Sequence, residues 1–168
     1  MVGPPLAGLR VLDLTRFVSG SQATMLLAAM GAEVGSGVRP VVLCGDGAFQ
    51  MTGPEISHSP MLGAHPIVIV INNSGWQIFR PVVDRPELLE IPPWPYAKLA
   101  EDWGGAGFVA RTLAELRTAL EAAHASKSFA IIDARVAVDD LSPITVKYIQ
   151  AAALRSQAPS PAHQRHRG

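Results

Sequence analysis

The residues of this chain best suited by type and spacing to do chemistry are Asp46, set between Gly45 and Gly47, and the pair Asn72-Asn73. Twenty-four residues separate Gly47 from Asn72. Each group follows an apolar run directly: Pro40-Val41-Val42-Leu43-Cys44 precedes the first, and Pro66-Ile67-Val68-Ile69-Val70-Ile71 the second. If the runs are neighbouring parallel strands, their carboxyl ends lie on one edge of the sheet, about one inter-strand spacing apart. Ligands of open α/β sheets bind outside that edge. One carboxylate and one amide oxygen suit a hard cation such as magnesium, which takes its remaining charge from phosphate oxygens. The pattern therefore points to a diphosphate held through a metal ion. Gly47 would let backbone approach the phosphates, and Gly75 could bend the chain so that its carbonyl points at the ion. Trp76 and Ile78 follow closely enough to flank an organic ring.

The elements that must position these groups are legible from pattern. Both apolar runs show little alternation, as expected for strands covered on both faces. Between them, Thr52 and Glu55 have capping-box spacing, with Pro54 in the first turn, so a helix is expected from Thr52 to about Leu62, ended by Gly63. Five prolines between Pro81 and Pro95 mark a surface loop. A helix is expected around Ala97–Trp103. Thr112 and Glu115 form a second capping-box pattern before a helix through Leu113, Leu116, Leu120 and Ala123. Phe129-Ala130-Ile131-Ile132-Asp133 reads as another strand, and Ser142-Pro143 as the start of a last helix toward Leu154. Upstream, Arg10 to Leu14 reads as a strand, and Ser21 caps a helix through Met30. Alternating strands and helices argue for a mostly parallel three-layer α/β/α sandwich.

Composition narrows the function classes. At 168 residues and 48% hydrophobic content, the chain can bury one ordinary core. Fourteen basic and fourteen acidic residues leave it formally neutral, so bulk charge favours neither nucleic acid nor an anionic membrane as partner. His163, Arg165, His166 and Arg167 make the tail locally basic, and residues 154–168 read as a flexible polar end. Cys44 is the only cysteine, which rules out an internal disulfide and fits a cytoplasmic location. No apolar stretch reaches membrane-spanning length. His58 and His65 flank a helix end and are expected to pack locally or lie at the surface, Asp139-Asp140 reads as a solvated turn, and Trp94, Pro95 and Tyr96 could line a substrate mouth or anchor the proline-rich loop.

Two resemblances add to this reading. Gly45-Asp46-Gly47-Ala48-Phe49-Gln50-Met51-Thr52-Gly53-Pro54-Glu55, with Asn72-Asn73-Ser74-Gly75-Trp76, resembles the diphosphate-binding domain of thiamine-diphosphate-dependent 2-oxo acid decarboxylases, nearest to the indolepyruvate and phenylpyruvate branch. Ile91 to Tyr96 and Leu141 to Ile144 also look like that branch. The resemblance implies a truncated thiamine-diphosphate-binding domain over residues 35–153, binding thiamine diphosphate and Mg2+. It implies that Asp46, the Asn73 side chain and the Gly75 carbonyl ligate the ion, that Gly45, Gly47 and Ala48 lie at the diphosphate, and that Trp76 and Ile78 lie beside the cofactor. The reaction implied converts a 2-oxo acid to carbon dioxide and an aldehyde. Several members of the family carry a catalytic glutamate where this chain has Phe79. The family also uses a glutamate from a separate pyrimidine-binding domain, usually on another subunit, so a partner domain or homologous subunit is expected to complete the site. Residues 5–34 instead resemble the start of class III coenzyme A transferases, with Ser19-Gly20-Ser21 departing from that family's turn, and are expected to dock as a strand and helix. A catalytically silent fusion or truncated cofactor-binding or oligomerisation module, and a coenzyme A transferase fragment, are the alternative readings.

Overall fold

The computed structural model describes residues 37–79, 83, 85–138, 140, 146, 147 and 151. The strand and helix expected before residue 35, the helix expected after Ser142 and the basic tail lie outside the described residues, apart from isolated positions.

Among the described residues, four strands form one parallel sheet: β1 (Val41–Gly45), β2 (Ile67–Asn72), β3 (Ala106–Ala110) and β4 (Ala130–Arg135). Their order is β1-β2-β4-β3, so β4 inserts between the strand that ends in Asn72 and the one that precedes it in sequence. The register pairs Cys44 with Val70 and Gly45 with Ile71, and on the other side of β2 pairs Asn72 with Arg135. The expected alignment of strand ends is therefore present.

Alternate side chains feed two cores. Val42, Cys44, Val68, Val70 and Ile131 point to one face, where they meet Phe49 of helix α1 (Asp46–Thr52), Ile56, and Tyr96 and Ala100 of helix α3 (Tyr96–Asp102). Val41, Ile67, Ile69, Ile132 and Ala134 point to the other, against Ala119 and Ala123 of helix α4 (Leu113–Ala125). Covering on both faces explains why β2 and β4 are continuous apolar runs. Leu43 is 40% exposed on β1, the edge strand among the described residues. The sheet is also fastened at its amino-terminal edge. The Arg39 guanidinium donates to the carbonyls of His65, His124, Ser126 and Ser128, joining the entries to β1, β2 and β4 and the end of α4.

The two capping-box patterns behave differently. Thr112 forms the box: its Oγ1 accepts from the Glu115 amide at 3.2 Å, while Glu115 Oε2 accepts from the Thr112 amide at 3.2 Å. Thr52 does not. The helix starts earlier, at Asp46, and Thr52 is its last residue; a 3-10 segment, Gly53–His58, follows before the short helix α2 (Ser59–Leu62). Pro54 explains the break, because it lacks the N–H needed to continue the α-helical ladder. Gly63 ends the segment in the left-handed region, as its position suggested.

The sequence reading did not anticipate β3. Its glycine conceals it: a Cβ on Gly107 would stand 1.9 Å from the Ala97 carbonyl oxygen, so this strand lies close against α3 where only hydrogen fits.

The Thr52 hydroxyl oxygen is buried without a hydrogen-bond partner. Thr112→Ala should therefore cost about 1 kcal/mol, the usual value of a lost cap. Thr52→Val should be neutral or stabilising, because it removes an unsatisfied buried polar atom at constant shape. Urea unfolding of the two variants checks both signs, and a comparable loss in each would contradict the assignment.

Candidate metal and diphosphate site

β1 ends at Gly45, whose extended backbone turns the chain into α1 and delivers Asp46 to the sheet edge. The Asp46 side chain is only 2% exposed. Its Oδ1 accepts the Gly47 N–H at 2.8 Å, while Oδ2 is buried with no partner. Burial pushes the carboxyl pKa up, and the backbone amides of Gly47, Ser74 and Gly75 act against that shift. A carboxylate so placed has an unmet need for positive charge. A hard cation meets it, so the residues present fit a metal ion.

The opposing wall is the turn after β2. Asn72 Oδ1 accepts the Ser74 N–H at 3.3 Å, and Ser74 adopts φ +59°, the left-handed region. Asn and Asp side chains commonly make this local bond in turns. Asn73 is half-buried, Ser74 exposed and Gly75 buried. Gly75 bridges Glu90 in antiparallel fashion, and the next amide, Trp76, donates to the Leu89 carbonyl at 2.8 Å. A Cβ on Gly75 would lie 2.7 Å from the Leu89 carbonyl oxygen and 3.0 Å from Gln77 Nε2. Glycine is required here by space. The proline-rich segment thus contains a 3-10 turn, Pro86–Leu89, that buttresses the site, rather than being wholly a surface loop.

The indole of Trp76 lies over Gly47. A Cβ on that glycine would approach three ring atoms at 3.0 Å, so the missing side chain accommodates tryptophan as well as leaving backbone open. Phe79 is 42% exposed, its ring centroid 6.2 Å from that of Trp76. Gly45 is exposed with open space beside its Cα, Ala48 is half-buried, and Ile78 sits in the 3-10 turn Gln77–Phe79. The sheet edge accordingly brings together Asp46, Gly47, Ser74, Gly75 and Trp76.

Several residues were not flagged by sequence reasoning. Gln77 is buried and its Oε1 has no partner. Asp133 accepts from Asn72 Nδ2 at 2.8 Å and from Arg135 Nε at 2.9 Å. The available signal for Asp133 was a carboxylate within an apolar strand. Gln50 donates to the Pro92 carbonyl at 2.7 Å and to the Tyr96 hydroxyl at 3.0 Å, tying α1 to the segment before α3. Tyr96 is buried, which pushes its pKa up to about 12, and it serves as an anchor. Cys44 is a core thiol, raised to about 12 by burial and then by the nearby Asp46 charge. His58 stays exposed beside Glu55, at 3.6 Å, and Asp140 donates its amide to Ala137 in a turn. Among the described residues no three His, Cys, Asp or Glu side chains cluster as a metal site, so a cation at this edge would rely on Asp46 with amide and backbone oxygens. None of the described helices is long and apolar enough to cross a membrane.

Comparison with known proteins identifies the family. Residues 14–134 match the family described as thiamine pyrophosphate enzyme, C-terminal TPP binding domain. The match begins inside the segment that resembles a coenzyme A transferase start. Indole-3-pyruvate decarboxylase of Azospirillum brasilense is 37% identical over 134 residues, covering 79% of this chain and 25% of that protein. Pyruvate decarboxylase of Neurospora crassa is 32% identical over 124 residues, covering 68% of this chain and 22% of that protein. The chain thus spans about a quarter of the length of the curated relatives it matches. A thiamine diphosphate-dependent 4-hydroxybenzoylformate decarboxylase of Rhodococcus jostii RHA1 shares the fold, with a TM-score of 0.62 at 24% identity over 71% of this chain and 24% of that one.

The raised Asp46 pKa fixes a pH dependence. The folded state holds this proton more tightly than the unfolded state, so ionising Asp46 lowers stability. In metal-free buffer, stability contributed by protonated Asp46 should be lost as pH rises from the ordinary aspartate range through the raised value. Thermal unfolding across that window should show the fall in the parent chain and a flatter profile in Asp46→Asn. Parallel profiles would contradict the assignment.

Proposed function

We propose, for a chain that belongs to the thiamine pyrophosphate enzyme C-terminal TPP-binding domain family, that the β1–β2 edge holds the cofactor's diphosphate through a magnesium ion. The observation that carries this reading is the buried, unpartnered Asp46 Oδ2 facing the turn after β2. In it Asp46, the Asn73 side-chain oxygen and the Gly75 carbonyl ligate the ion. Gly45, Gly47 and Ala48 lie at the diphosphate, and Trp76 and Ile78 flank the cofactor. The chain binds thiamine diphosphate as the C-terminal portion of a 2-oxo acid decarboxylase. The substrate class in this reading is an indolepyruvate- or phenylpyruvate-type acid, after the Azospirillum relative.

Bound thiamine diphosphate supplies the electron sink for loss of carbon dioxide, leaving the protein to provide geometry and proton traffic. Asp46 fixes charge at the diphosphate end. Gly75 keeps the turn narrow, since any side chain there would strike the Leu89 carbonyl. Trp76 covers Gly47 and excludes water from one side of the edge. Phe79 is apolar and transfers no proton, so the acid that several family members place here must come from elsewhere. A pyrimidine-binding domain or homologous subunit completes the site in this reading. Phe79 also favours a second one, a module that holds cofactor without decarboxylating.

Calorimetric titration with thiamine diphosphate, with and without magnesium, tests the first claim. Saturable binding should require magnesium and weaken at least about 100-fold in Asp46→Ala, more than loss of an outer support costs a metal site. Failure of a folded parent chain to bind would remove the autonomous site. Aldehyde release on adding a pyrimidine-domain partner separates the decarboxylase from the silent module.

A further inference from the structure

We propose that Asp133 is a positioning residue for the cofactor edge, acting through Asn72 to hold the turn that carries Asn73, Ser74 and Gly75. The functional half of this proposal rests on the reading above. The structural half stands on the hydrogen bonds alone.

Asp133 is 1% exposed in the middle of β4, between Ile132 and Ala134. Burying a carboxylate is costly, and apolar replacement of a buried ion pair is often neutral or stabilising. Packing alone gives no reason for this residue. Both of its oxygens are used: Oδ2 accepts from Arg135 Nε at 2.9 Å, and Oδ1 from Asn72 Nδ2 at 2.8 Å. The second bond fixes the Asn72 amide, because only its NH2 group can face the carboxylate. Asn72 Oδ1 must then point the other way, where it accepts the Ser74 N–H at 3.3 Å.

That last bond falls where the backbone needs support. Ser74 is the one non-glycine residue with positive φ among the described residues. Such a conformation is strained for a residue other than glycine and persists only where its surroundings over-determine it. The same turn leads into Trp76, whose indole lies over Gly47, the residue next to Asp46. A chain of contacts therefore runs from Arg135 through Asp133 and Asn72 to the wall opposite Asp46. Residues that support metal ligands in this way commonly govern ligand geometry without touching the ion.

The test uses the full 168-residue chain and the variants Asn72→Ala, Asp133→Leu and Asp133→Asn. Amide hydrogen exchange at Ser74 and Gly75 and the Ser74 scalar coupling report on the turn, and exchange at Ala119 and Ala123 in α4 reports on the rest of the fold. Asn72→Ala and Asp133→Leu should speed exchange at the turn by about tenfold or more while sparing α4, as a local opening does. They should also weaken magnesium-dependent binding of thiamine diphosphate by about 10–100-fold. Asp133→Asn keeps an oxygen that can accept from Asn72 and should stay close to the parent in both. Unchanged turn exchange in folded Asn72→Ala or Asp133→Leu would overturn the proposal, as would equal acceleration throughout α4. If Asp133→Leu does not fold, Asn72→Ala decides. A parent chain that binds no cofactor would overturn the cofactor reading, and the exchange data would still decide whether Asp133 holds the turn.

Discussion

Everything at the edge that carries Asp46 depends on the register of β2 against its two neighbours. Ile67 pairs with Val41 on one side and with Ala130 on the other, so three strands advance in phase. A slip of one residue would turn every side chain of β2 to the opposite face, exchanging the Val68–Val70 core for the Ile67–Ile69 core. It would also separate Asp46 from the turn after Asn72 and break the bond from Asn72 to Asp133. The register is fixed from both ends. At the amino-terminal edge Arg39 binds carbonyls that precede β2 and β4, and at the carboxyl-terminal edge Asp133 binds Asn72.

The two ends serve opposite purposes. Arg39 satisfies carbonyls that a helix end and strand entries would otherwise leave to water, which favours the fold with or without a ligand. The carboxyl-terminal edge concentrates unfavourable features: a buried carboxylate with an empty oxygen, a serine in the left-handed region and a glutamine whose Oε1 is buried and unpaired. Strained or unsatisfied groups gather where a bound ligand relieves them. A cation at Asp46 would reverse the sign of that residue's contribution, since the ionised form that burial opposes is the form a cation attracts. Ligand binding and stability are then linked through one side chain.

How much of this was legible in the sequence follows from the range of the interactions involved. β1, β2 and β4 were readable because strands buried on both faces must be apolar throughout. That β1 and β2 end on one edge followed because parallel strands align their ends. The Thr112 box was readable because its two bonds are local. The Thr52 pattern, equally local, failed because the Gly45 turn starts helix α1 earlier, leaving Thr52 at its end. β3 was hidden because its Gly107 answers to α3, a neighbour that no window of sequence reveals. Asp133 and Asn72 lie 61 positions apart, and only strand order makes them partners.

Phe79 sharpens what this edge can contribute to a reaction. The ring is exposed beside Trp76, so the two aromatic groups form an apolar shoulder at the edge that carries Asp46. An apolar shoulder favours an uncharged species over a carboxylate, because the charged form loses more hydration there. In the reading proposed above, such a shoulder would disfavour a substrate carboxylate and accommodate the species left once carbon dioxide is lost, while proton transfer would fall to groups that approach from outside this sheet edge.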